Sequence, residues 1–146
     1  MSIVLALGLM AAIDPALPAI EHRTRVKHAE GAVDALYKTR VSISHRQIGS
    51  ATKPGTPATL RCVWRANIHV ERSAVHGSGA SLSRQIARDG VVEGHQPGWC
   101  NGGRNAIAAQ VARRTGEIHD QVVALAREDE SVLQAELERL NGNRQG

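Results

Sequence analysis

Two cysteines and seven histidines are the residues of this chain with the widest chemical reach. Cys62 and Cys100 each lie one or two positions from a tryptophan, in "RCVW" and "GWC". Cys100 also precedes Gly102-Gly103 and an alanine-rich stretch with helical spacing. A thiol at a helix start can be acidified by the backbone N–H groups there and become a nucleophile. Such a nucleophile needs a base, and His69, His95 and His119 are available. Nothing around Cys100 has the local pattern of a cysteine-hydrolase family, however. The glycine pair lacks both the spacing and the Lys-Ser/Thr ending of a phosphate-binding loop, so it reads as a turn that only glycine permits easily. In an oxidising compartment two cysteines most simply pair. The expected disulfide, Cys62–Cys100, would tie the start of the helix to the interior of a strand.

The histidines are His22, His28, His45, His69, His76, His95 and His119. None stands at HxH, HxxxH or HExxH spacing, so no metal site and no cofactor is expected. No Ser/His/Asp arrangement appears, and no paired carboxylates fall where strand ends would form a cleft. "EDES", Glu128 to Ser131, reads as a helix surface or a helix break. No catalytic residue is assigned. A small Cys/His hydrolase or transferase is kept only as an alternative.

The elements that would position these residues follow from two periodicities. Leu60, Cys62, Trp64, Ala66, Ile68 and Val70 share one parity; Arg61, Val63, Arg65, Asn67, His69 and Glu71 share the other. That alternation specifies a half-buried strand. Val33 to Ile48 alternates likewise, with Leu36 as the exception, and a Gly/Pro-rich stretch, Gly49 to Ala58, joins the two as a long hairpin. Ile20 to His28 and Ser81 to Gly94 give flanking strands. From Asn105 the period becomes helical, with Ile107, Val111, Ile118, Val122, Leu125, Val132 and Leu140 on a stripe and Leu133 and Leu137 close to it. "NGN", Asn141 to Asn143, is a stop signal. The expected fold is α+β: an antiparallel β-meander of three or four strands packed against a long C-terminal α-helix, broken near Gly116 or Ser131. Residues 20–146 form one domain, with the sheet over 20–95 and the helical region over 104–140.

The first nineteen residues differ. "MSIVLALGLMAAIDPALPA" has an apolar run of signal-peptide length, too short to span a bilayer, and Ala19 is a cleavage position. No Lys or Arg precedes the run, and Leu17 stands where a small residue is usual. Beyond it, Ile20 to Arg114 carries 15 Lys+Arg against 6 Asp+Glu, and Thr115 to Gly146 carries 3 against 7. A basic body with an acidic tail suits either a solvated surface or a polyanion partner. Arg23, Arg25, Lys27, Arg61 and Arg65 are the candidate anion-binding residues. With no Phe, one Tyr and two Trp, large aromatic anchors are scarce, which weighs against carbohydrate platforms and single-strand stacking.

The layout "LRCVW" followed by "PGWC" and an Ala/Arg-rich helix is similar to that of small exported proteins of Gram-negative bacteria. The resemblance spans most of the chain beyond residue 19; it implies export to the periplasm and brings no activity with it. The functional expectation is a small exported, periplasmic, non-enzymatic protein acting by surface contact. Its partners would be another protein, a second copy met through the C-terminal helix, or a polyanion on the arginine-rich sheet face. It is not expected to be transmembrane.

Overall fold

Alternation of apolar and polar side chains over long stretches produces four strands, and a switch to helical spacing after the last produces two helices. The computed structural model describes residues 17–29, 31–52, 54–55 and 59–145, with side chains to residue 142. The strands are β1 (Ala19–His28), β2 (Gly31–Ile48), β3 (Arg61–Val75) and β4 (Ser81–Pro97); the helices are α1 (Cys100–Arg113) and α2 (Thr115–Gln145). The strands form one antiparallel sheet in the order β1-β2-β3-β4. Each strand pairs only with its sequence neighbours, so the sheet is a simple meander. The α+β architecture is therefore as the periodicities specify.

One sheet face is dry. Cys62, Trp64, Ala66, Ile68 and Val70 of β3 are buried there, together with Val33, Ala35 and Tyr37 of β2. Both helices cover this face. Ile107 and Val111 come from α1; Ile118, Val122, Leu125, Leu133 and Leu137 come from α2. Full burial of each such aliphatic side chain is worth about 1.5–3 kcal/mol. The helix stripe is thus spent on the chain's own sheet. Leu133 and Leu137 lie at its centre, whereas Val132 and Leu140 are half-buried at its margins. This reverses the sequence ranking: at about 100° per residue the buried Leu125, Asp129, Leu133 and Leu137 advance round one side of the helix, and Val132 falls on the other side of Leu125, at the edge of the stripe.

The helical region is interrupted once, at Arg114 (φ −102°, ψ 20°). The Thr115 hydroxyl donates to the Ala112 carbonyl at 2.6 Å and Arg114 Nη1 donates to the Glu93 carbonyl at 2.7 Å, which fixes the junction against β4. This is the break expected near Gly116. At Ser131 there is none: its hydroxyl donates back to the Glu128 carbonyl, and α2 runs on. Nor does "NGN" end the helix, which extends to Gln145; α1 in turn starts at Cys100, four residues before the expected onset. β1 opens at Ala19 and β4 closes at Pro97, slightly beyond the expected sheet. Most of the expected signal segment lies outside the described residues; Leu17 packs against the core.

Two glycines matter to this geometry. Gly94 sits opposite Trp64, and a Cβ there would overlap the indole ring, so the glycine makes room for the largest core side chain. Gly90 (φ +63°) lies in the irregularity of β4 between Arg88 and Val92, where the pairing with β3 slips. Its amide donates to Asn67 Oδ1 at 2.9 Å.

Candidate functional site

Cys62 lies near the start of β3 and Cys100 at the first turn of α1, and the two are joined in a disulfide (S–S 2.12 Å, Cα–Cα 4.9 Å). The sequence expectation for Cys62 and Cys100 holds. With both sulfurs in this bond, neither thiol is free. The surroundings of Cys100 are those of a staple. Trp99 stands at the N-cap position without a side-chain cap of its own. Gln47 supplies one instead: its Oε1 accepts from the Cys100 amide at 2.7 Å, and its Nε2 donates to the carbonyls of Arg61 and Gly98. One side chain from β2 therefore satisfies an orphan donor of α1 and ties β3 to the β4–α1 junction.

The five candidate anion-binding residues all lie on the sheet face that no helix covers. They do not form one site. Arg23 is in register with Leu36 and, across β2, with Ser73. Arg61 is in register with Ile48 and Pro97 at the far end. The stretch of β3 from Arg61 to Ser73 spans about 40 Å at the rise of a strand. Two of the five are also paired: Arg25 Nε with Asp34 at 3.0 Å, and Arg65 Nε with Glu93 at 2.8 Å. The Arg25 guanidinium holds the Asp34 carboxyl below its ordinary range through a hydrogen bond and charge. Beside Arg23 and Arg25, a groove of about 640 Å³ is lined by Asp34, Leu36, Ser73 and Val75.

A charged cluster that sequence reasoning missed lies on the opposite, buried face. Arg72 of β3 is fully buried, and Asp129 of α2 is 2% exposed. Arg72 Nε lies 3.0 Å from Asp129 Oδ2, out of line for a hydrogen bond, while its Nη1 and Nη2 donate to the two carboxylate oxygens of Glu136 at 2.6 and 3.2 Å. Tyr37 Oη donates to Asp129 Oδ2 at 2.8 Å, and Arg84 Nη1 donates to Asp129 Oδ1 at 2.5 Å. Burial pushes the Tyr37 phenol well above its ordinary range, and the Asp129 carboxylate adds to the shift. For Arg72, burial opposes the charge, but the hydrogen bond to Glu136 and the charges of Asp129 and Glu136 outweigh it, so its affinity for the proton rises. A signal for this cluster existed. The alternation of β3, continued past Val70, puts Arg72 on the core face; Asp129 and Glu136, seven apart, fall on the apolar stripe of α2. The segment "EDES" is neither all surface nor a break. The cluster's acceptors are occupied by fixed donors, so its chemistry is to lock α2 onto β2, β3 and β4.

The histidines are dispersed. His45 is exposed, although its parity is that of the core, because the β1–β2 pairing ends at Ala19–Arg40 and leaves His45 at the margin of the sheet. His22 of β1 and His119 of α2 meet edge-to-face at 6.0 Å, and His22 is tilted against Tyr37 at 6.2 Å. Burial, then the neighbouring His119 and Arg127, lower the His22 pKa below its ordinary value. His76 is buried, its Nδ1 2.8 Å from the Ser78 hydroxyl in the β3–β4 turn. Among the described residues no three His, Cys, Asp or Glu side chains converge as a metal site. No helix among them is long and apolar enough to cross a membrane.

No protein-family model, curated protein or solved structure matches this chain at a significant level. The functional reading therefore rests on the molecule's own geometry.

Proposed function

We propose that this is a small exported, periplasmic protein that acts by surface contact rather than by catalysis. The observation that carries the reading is the uncovered face of the sheet. Both helices lie on one side, and the other side presents four strands of polar side chains, rich in Arg and Lys, to solvent. One solvated face is usual in an antiparallel sheet, but its cationic character suits contact with an acidic partner. The Cys62–Cys100 bond supports an oxidising compartment. Both thiols are consumed by it. The likeness of "LRCVW … PGWC" to small exported proteins points the same way.

A polyanion-binding module is the second reading, favoured by the exposed Arg23 and Lys27 on the same face, which enter no ion pair among the described residues. The pairing of Arg25 with Asp34 and of Arg65 with Glu93 weakens that face as a continuous anion track.

Expression of the full chain in a Gram-negative host tests the reading. The expected product is found in the osmotic-shock fraction, with its new N-terminus at Ile20 and a mass two protons short of the dithiol. A reduced, uncleaved product in the cytosol would refute export.

A further inference from the structure

The contact reading points to the uncovered cationic side of the sheet but leaves open which end of the molecule engages and which acidic partner it meets. One end of the fold differs from the rest in charge and in exposed aromatic surface. No Asp or Glu occurs from Ala35 to Val70, nor from Gly94 to Gly116. The antiparallel register brings the relevant parts of these two segments together: the end of β2, the start of β3, the end of β4 and the start of α1 form one pole of the molecule. Arg46 and Arg61 project there from the uncovered sheet face, and Arg104 from the first turns of α1; all three are exposed. None of the ion pairs among the described residues involves them. Arg104 lies near enough to His45 for its charge, after burial, to lower that imidazole's pKa.

At the tip of this pole stands Trp99, 60% exposed; among the described residues only Val75 is another large hydrophobic side chain so open to solvent. Its backbone is rigidly held. Cys100 beside it is in the disulfide, Gly98 N donates to the Leu60 carbonyl at 3.0 Å, and Gln47 clamps the carbonyl of Gly98 and the amide of Cys100. A fixed backbone holding a tryptophan in water, at the same end of the fold as three exposed arginines, has two requirements of its surroundings: somewhere apolar for the ring and anions for the guanidinium groups.

We propose that this pole docks on an anionic lipid surface, with the Trp99 indole in the headgroup region and Arg46, Arg61 and Arg104 on lipid phosphates. The assignment deepens the surface-contact reading and rests on it. Lipid fits better than nucleic acid. Single strands are held by several stacked bases on several rings, and Tyr37 and Trp64 are both buried, leaving one exposed ring. One tryptophan with flanking cations is what an interface of headgroups accommodates.

The two tryptophans make the test direct. Trp64 is 1% exposed, so a change of emission on binding reports Trp99. The full-length disulfide-bonded protein is titrated with vesicles of phosphatidylglycerol and phosphatidylcholine, and with phosphatidylcholine alone. The expected result is a blue shift and co-sedimentation with the anionic vesicles only. R46Q/R61Q/R104Q should weaken partitioning by on the order of 100-fold, about 5-fold per cation. W99A should weaken it too, read by sedimentation. R23Q/K27Q, at the opposite end of the same sheet face, should leave it within about 2-fold, as its cations lie beyond the Debye length from the pole. Far-UV circular dichroism and thermal midpoints confirm that each variant is folded. Absence of binding to anionic vesicles overturns the proposal, as does an equal loss in R23Q/K27Q. Salt-sensitive retention on heparin without vesicle binding also overturns it, yet leaves the broader surface-contact reading standing.

Discussion

Single side chains decide how the two layers of this protein meet. Arg72 carries its charge into the core and is matched there by Asp129 and Glu136. Removing one partner of such a group leaves the others buried and uncompensated. Arg72→Met is therefore expected to cost about 3 kcal/mol, read as a lower urea midpoint. Tyr37→Phe removes one donor from Asp129, which keeps Arg72 and Arg84, so the expected loss is only about 1 kcal/mol. Steric fit is as demanding at Gly94. The Cβ of Gly94→Ala would lie 2.4 Å from Cζ2 of Trp64, and overpacking of this kind costs about 1–3 kcal/mol. Near-ultraviolet circular dichroism should report the displaced indole, and the cost should shrink when Trp64→Leu is combined with it.

At the scale of elements, the joint between sheet and helices carries two reinforcements. The Cys62–Cys100 bond closes a loop of 38 residues and is expected to contribute about 4 kcal/mol by restricting the unfolded chain. Urea unfolding with and without reductant measures it, and Gln47→Ala should cost a further ~1 kcal/mol through the lost cap. At the other contact, His22 of β1 faces His119 and Arg127 of α2. The folded state holds His22 neutral to a lower pH than the unfolded state does. As pH falls below about 6.5, the unfolded chain takes up the proton first, and stability declines until pH drops below the folded pKa. Thermal midpoints recorded from pH 8 to 5 should fall across this window, and His22→Gln should flatten the slope. The opposite slope would show that His22 gains a counter-charge on folding.

Charge is distributed unevenly over the whole molecule. Glu128, Asp129, Glu130, Glu136 and Glu138 lie along α2, which leads towards the β1–β2 turn, where Gln134 donates to the Lys27 carbonyl. The pole bearing Trp99 has no carboxylate within its segments. The resulting asymmetry orients the protein in any field set up by an anionic surface. Raising the ionic strength from low to physiological values should accordingly slow association far more than dissociation, a difference that stopped-flow tryptophan fluorescence can resolve. Leu125, Leu133 and Leu137 of the α2 stripe are covered by the protein's own sheet. A size measurement in solution is expected to give a monomer at micromolar concentration.

Much of this architecture was legible in the chain itself, because strand and helix periods differ and the residues here respect them. The alternation from Leu60 to Val70, the matching run from Val33 to Ile48, the Gly/Pro-rich connection between them and the switch to helical spacing together determine a meander backed by helix. Parity also determined that Arg23, Arg25, Lys27, Arg61 and Arg65 share the polar face. The pairing of the cysteines followed from their even number and the compartment argument. Only the tertiary structure decided which charges are in contact. Arg72, Asp129, Glu136, Arg84 and Tyr37 come from four elements, and a periodicity records which face a residue takes, not what stands opposite it. The same holds for the cationic pole. Its arginines are distant in sequence and become neighbours only because antiparallel register and the helix turn-back bring β2, β3, β4 and α1 to one end.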